Sequence, residues 1–170
     1  MTLILGALLL FGAVVWMNRS SMRQKHTAVF ADYILVEKSA HRLTLFANDR
    51  VLKTYRVALG GNPLGHKQEE GDQRTPEGIY TIDWRNTESD YHLSLHISYP
   101  EERDCVAAAA RGVPPGCDIM IHGLPNDVDW KTRLRHPEVD WTAGCIAVTD
   151  AEMDEIWAAV PDGTTIEIRA

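Results

Sequence analysis

Short runs of leucine, β-branched and aromatic residues, set off by polar turns, recur along this chain and predict strands first. The stretches 33-YILVE-37 and 42-RLTLFA-47 carry β-branched and aromatic residues, as strands do. The polar 48-NDR-50 marks a turn into a third strand, Val51 to Leu59, so this part reads as a meander that Gly60-Gly61-Asn62-Pro63 ends. Further strands are expected at Ile79 to Trp84, Tyr91 to Ser98, Asp118 to His122, Cys145 to Val148 and Thr164 to Ile168. Helical signals are fewer. Pro100 to Arg111 starts on proline and two glutamates, fills with alanines and stops at Gly112. Thr149 and Glu152 form an S/T-x-x-E capping box, followed by Met153, Ile156, Trp157 and Val160 at i, i+3, i+4 and i+7. The pattern predicts a mainly β domain with two to three helices, and leaves the polar 66-HKQEEGDQRTPEG-78 as a long loop of the kind that carries function.

One segment breaks the pattern. The run 3-LILGALLLFGAVVWM-17 holds no charge, falls a little short of the roughly 20 residues that cross a bilayer, and lacks both a basic start and a nearby small-residue cleavage site. Residues 1–17 therefore read as an N-terminal hydrophobic helix, an uncleaved anchor or signal, 18–31 as a polar tether and 32–170 as the folded domain. Arg19, Arg23 and Lys25 follow the run, and the positive-inside rule alone would hold the domain in the cytoplasm.

Composition narrows the partners. At 170 residues, 45% hydrophobic and 24% charged, the chain fits one globular domain. A formal charge of -7 argues against nucleic acid, which needs a basic patch. The chain has no CxxC pair and no HExxH. His92 and His96 share a strand face, but four residues separate them by about 13 Å, too far for one metal ion; no metal and no cofactor is expected.

Three cysteines leave one over after pairing. Cys105 and Cys117 bracket the alanine-rich helix and the turn 112-GVPPG-116, which would let the chain fold back and close a disulfide; two buried free thiols are the alternative. Cys145 is then the free thiol, and a thiol that reacts needs a base. His122, at the end of one short strand, faces Cys145 at the start of another if the two strands are neighbours. Gly123 permits backbone geometry that a side chain would block and offers a carbonyl to orient the ring. Gly144 allows a sharp turn that would aim the N–H groups of Ala143, Gly144 and Cys145 at an oxyanion. Trp84, Trp130 and Trp157 read as core or loop anchors, and Trp141 as a cleft wall.

The ordered set 71-GDQRTPEG-78, 121-IHG-123 and 144-GCI-146 resembles the L,D-transpeptidase catalytic domain family, often called YkuD-like, over residues 32 to 169. The resemblance implies a β-sandwich-like fold in which Cys145 is the nucleophile, His122 the base and Gly144 part of the oxyanion site. It implies peptidoglycan stem peptides as partners: the thiolate attacks the carbonyl of an L-centre diamino acid and expels a terminal D-amino acid. An amine acceptor then gives a cross-link, and water gives carboxypeptidase activity. It also implies the bacterial cell envelope, at the periplasmic face of the inner membrane, as the location.

Departures from the family pattern are specific. Thr142-Ala143 stand where Ser-His or Ser-Asn is common, and Ala147 occupies the place of an arginine two residues after the cysteine. Arg74, Arg133 or Arg135 are the candidates to replace that charge, with Arg74, Thr142 and Trp141 as substrate-binding residues. A hydrolase of the same family, releasing wall-attached peptide or lipoprotein, a non-catalytic peptidoglycan-binding module and a cytosolic thiol hydrolase are the rival readings.

Overall fold

The computed structural model describes residues 29–170; the expected anchor and nearly all of the tether lie outside the described residues. Eight strands are formed among the described residues: β1 (Tyr33–Glu37), β2 (Arg42–Ala47), β3 (Arg50–Arg56), β4 (Gly78–Ser89), β5 (His92–Ile97), β6 (Met120–His122), β7 (Ile146–Ala147) and β8 (Thr165–Arg169). Three α-helices accompany them among the described residues: α1 (Glu102–Ala110), α2 (Trp130–Arg135) and α3 (Asp150–Ala159). The fold is mainly β, and all strands join one curled sheet in the order β3-β2-β1-β8-β4-β5-β6-β7. The long β4 links its halves, pairing with β8 from Gly78 to Thr81 and with β5 from Ile82 onward. Register shifts in β2/β3 and β4/β5 bend the strands there, since a bulge raises local twist.

Burial alternates along β1, and one face of each strand builds the core. Ile34 and Val36 of β1, Leu43 and Leu45 of β2, Tyr80 and Ile82 of β4, Leu95 and Ile97 of β5 and Ile166 and Ile168 of β8 are fully buried. Met153, Ile156 and Val160 of the α3 segment close over them. The expected capping box starts that helix: the Glu152 N–H donates to Thr149 Oγ1, and the Thr149 N–H to the Glu152 carboxylate. Ala31, assigned by sequence to the tether, is already buried, with its N–H bonded to the Ala159 carbonyl.

Three differences from the expected elements shape the site. β3 stops at Arg56, and residues 57–60 cross instead to the segment around Cys145, where Ala58 bridges Ala147 and Gly60 bridges Thr142. β4 continues through the polar 85-RNTES-89, so the β4–β5 hairpin lengthens and its tip, Tyr91, reaches His122. The 124–141 insert contains α2, whose six residues are too few to show a helical period.

Candidate active site

Strand pairing brings the two motif segments together. β6 and β7 are parallel, with Ile121 opposite Ile146 and His122 opposite Ala147, and the Val148 N–H donates to the His122 carbonyl. The Met120 N–H points at Cys145 Sγ over 3.4 Å, and the sulfur lies 3.5 Å from the Asp118 carbonyl oxygen. His122 and Cys145 thus line one cavity of about 450 Å³, together with Tyr91, Asp118, Trp141 and Thr142.

His122 is 4% exposed. Its Nδ1 lies 2.7 Å from the Gly123 carbonyl oxygen, which can only accept, so Nδ1 carries the proton and the lone pair of the neutral ring sits on Nε2. Burial pushes this imidazole down to about 4 despite the Gly123 bond, and His136 adds to the effect. Burial moves the Cys145 thiol the other way, upward, with the Met120 N–H and Lys67 opposing and Asp118 assisting. At neutral pH the resting pair is a neutral thiol and a neutral imidazole rather than an ion pair.

Aromatic rings hold the imidazole. The Tyr91 ring lies 4.5 Å from it, Trp141 meets it edge-on at 5.7 Å, and Tyr91 and Trp141 stack at 6.2 Å. Trp141 is the cleft wall the sequence pointed to; Tyr91 carried no signal beyond its place in a strand.

The turn before the cysteine is stapled. Thr142 is buried, its hydroxyl donates to the Cys145 carbonyl at 2.7 Å and accepts the Gly144 N–H at 3.1 Å. This occupies two groups that sequence reasoning had aimed at substrate: the Thr142 hydroxyl and the Gly144 N–H. The N–H groups of Ala143 and Cys145 meet no acceptor among the described residues, and both residues line the cavity. Gly144 itself has φ +139°, and a Cβ there would sit 2.7 Å from the Arg74 carbonyl oxygen, so no other residue fits.

Arg74 meets the site through that carbonyl, not its charge: its Nη1 donates to the His66 carbonyl. Arg133 is paired with Asp150 at 2.6 Å, and Arg135 borders a separate apolar cavity behind Trp141. None of the three arginines lines a cavity at Cys145. The cation that does is Lys67, in a second cavity of about 360 Å³ that opens on the sulfur from the other side, with Glu70, Gly116, Cys117 and Asp118. Lys67 belongs to the loop singled out by sequence, where nothing distinguished it from a surface lysine.

The expected Cys105–Cys117 disulfide is not formed; both are exposed free thiols. The intervening turn caps α1 through the Gly112 and Val113 N–H groups and then leaves it. The Pro114 carbonyl accepts the Glu70 N–H, which straps the turn to the 66–78 loop, the Pro115 carbonyl accepts the Tyr99 hydroxyl, and the Cys117 thiol donates to the Asp118 carboxylate. His92 pairs with Asp154 and His96 with Asp83.

Comparison with known proteins places this arrangement. The chain resembles the Escherichia coli K12 protein named "Putative L,D-transpeptidase YafK", at 28% identity over 134 residues, which is 75% of this chain and 46% of that protein. Among solved structures, the helical cell shape determining protein Pgp2 of Campylobacter jejuni superposes with a TM-score of 0.64 at 22% identity, over 82% of this chain and 47% of that one. Bd1075 of Bdellovibrio bacteriovorus gives 0.57 at 22%, over 85% and 50%. The L,D-transpeptidase of Mycobacterium smegmatis gives 0.53 at 13%, over 82% and 59%. The chain spans about half the length of the curated relative and of the first two structures. Residues 31–168 match the model of the L,D-transpeptidase catalytic domain (YkuD), and the chain belongs to that family.

Proposed function

We propose that the protein is a cysteine-dependent L,D-transpeptidase that remodels peptidoglycan stem peptides through an acyl-enzyme on Cys145. The observation that carries this reading is the single cavity lined by Cys145 and by a buried His122 whose Nδ1 proton is committed to the Gly123 carbonyl. In this scheme substrate binding displaces water from the cavity, and His122 Nε2 takes the thiol proton as Sγ attacks the carbonyl of the L-centre diamino acid. The N–H groups of Cys145 and Ala143 hold the oxyanion. The C–N bond to the terminal D-amino acid breaks, and its amine leaves with the proton from His122. An acceptor amine then attacks the thioester, gives its proton to His122 and restores the thiol. We infer further that the 3–17 run holds the domain at the periplasmic face of the inner membrane, and that the activity bears on cell shape, as the designation of Pgp2 as a helical cell shape determining protein suggests for that protein.

Incubating isolated sacculi with the purified protein and resolving the muropeptides by mass spectrometry tests the reaction. New L,D-linked dimers together with released terminal D-amino acid, both absent with Cys145→Ser, are the expected products. Tripeptides without dimers would transfer the reading to the hydrolase of the same family. Unchanged muropeptides would overturn it.

A further inference from the structure

Among the residues that line the two cavities at Cys145, Lys67 is the only cation. It is 3% exposed, a rare state for lysine outside an ion pair. Its Nζ donates to Asp72 Oδ1 at 2.8 Å and to the Glu69 carbonyl at 3.1 Å. Asp72 is in turn a knot: it accepts the N–H groups of Gln68, Glu69 and Arg74, and lies outside the residues that line the cavity. The lysine stem passes against Gly116, where φ is +78° and a Cβ would stand 3.3 Å from Lys67 Cε. Two loops therefore fix a buried ammonium at the wall of the cavity that opens on the sulfur.

The place where the family carries an arginine is closed to charge here, because Ala147 is fully buried and hydrogen-bonded in both directions with Ala58. The other titratable groups around the thiol do not supply a positive field. Asp118, Cys117 and Glu70 share the second cavity, and Asp90 and a neutral His122 the first; on the α3 side, Arg133 is neutralised by Asp150. A thiolate formed in these surroundings meets carboxylates and one cation.

We infer that Lys67 is the positioning residue that sustains the Cys145 thiolate, doing from the 66–78 loop what an arginine two residues after the cysteine would otherwise do. The net negative lining argues against a role in gripping a substrate carboxylate. The direction of its influence on the thiol agrees, since Lys67 opposes the upward push of burial. The inference rests on Cys145 being the reacting thiol, but its test does not depend on wall chemistry.

The test follows the pH dependence of iodoacetamide alkylation at Cys145 in the purified full chain, read on the Cys145 peptide by mass spectrometry so that Cys105 and Cys117 do not interfere. Lys67→Met keeps the stem and removes the charge. It should raise the pH midpoint by about one unit and slow alkylation about tenfold at neutral pH. Because that variant leaves Asp72 buried without its cation, Lys67→Met/Asp72→Asn is measured beside it, with melting temperatures for both. The double variant should fold and still show the upward shift, since Lys67 lines the cavity and Asp72 does not. A folded double variant with the wild-type midpoint would overturn the inference and make Lys67 a brace for the loop. Failure of the wild type to act on sacculi would overturn the proposed function while leaving this titration interpretable.

Discussion

On the His122 side of Cys145 the walls are rings: Tyr91 and Trp141 enclose an imidazole that burial keeps neutral. On the Lys67 side they are ions: a buried ammonium, Asp118 and Glu70, with Asp72 behind the wall as the ammonium's partner. In the proposed reaction the first side sets geometry and keeps a lone pair available, and the second sets the field around a negative sulfur. The difference teaches that the same low water content serves one partner and burdens the other. Desolvation favours the neutral base and penalises the thiolate, so the charge that offsets the penalty has to come from outside the ring cluster.

Experiments that break this pairing should differ in size. Cys145→Ser should remove turnover by a factor on the order of 10⁴ or more, as loss of a nucleophile does, with the melting temperature nearly unchanged. His122→Ala removes the base, and turnover should fall about 10² to 10⁴-fold while Cys145 remains alkylatable. A parallel loss of fold, measured by circular dichroism, would instead mark His122 as a packing residue. Gly144→Ala should fail on both counts, because its Cβ would meet the Arg74 carbonyl at 2.7 Å and φ is +139°. Roughly 1–3 kcal/mol of stability and about 10²-fold in kcat from the displaced sulfur are the expected costs. Trp141→Ala opens one wall and should lower kcat about tenfold, since Tyr91 still contacts the ring. An unchanged rate would show that the rings do not position the base.

The buried imidazole also writes itself into stability. Its native pKa, lowered to about 4, lies below that of the unfolded chain, about 6.5. Between these values the unfolded state binds the extra proton, so the contribution is full above about 6.5 and is lost as pH falls toward 4. The change is on the order of 3 kcal/mol. As pH falls from 7 to 4 the melting temperature of the wild type should fall relative to that of His122→Gln, and parallel curves would contradict the buried neutral ring.

The core strands were legible because runs such as 33-YILVE-37 and 42-RLTLFA-47 are rich in β-branched and aromatic residues bounded by polar turns, a signal that survives in a single sequence; which face is buried, that of Ile34 and Val36 in β1, is set by the assembled sheet. The α3 segment was legible through its capping box and spaced apolar positions. The site was legible where residue type is chemically distinctive, at Cys145, His122, the Gly144 turn and the nearby Trp141. Tyr91 reaches His122 through a hairpin extended by polar residues whose pairing leaves no hydrophobic pattern. Lys67 lies far from Cys145 in sequence, and its burial depends on Asp72 and on the strapped 112–117 turn, which only the assembled loops create. The disulfide expectation failed for the same reason: proximity in sequence did not reveal that Pro114 and Pro115 hold the turn elsewhere.

The account turns on Cys145 becoming acylated. The most direct measurement mixes the purified protein with a carbapenem, whose strained carbonyl imitates the donor bond, and follows the intact mass and the peptide that carries the adduct. One acyl group per chain on Cys145, absent from Cys145→Ser and slowed in His122→Ala, is the predicted result. A wild type that stays unmodified under prolonged exposure, or that carries the adduct on Cys105 or Cys117, would contradict the central claim.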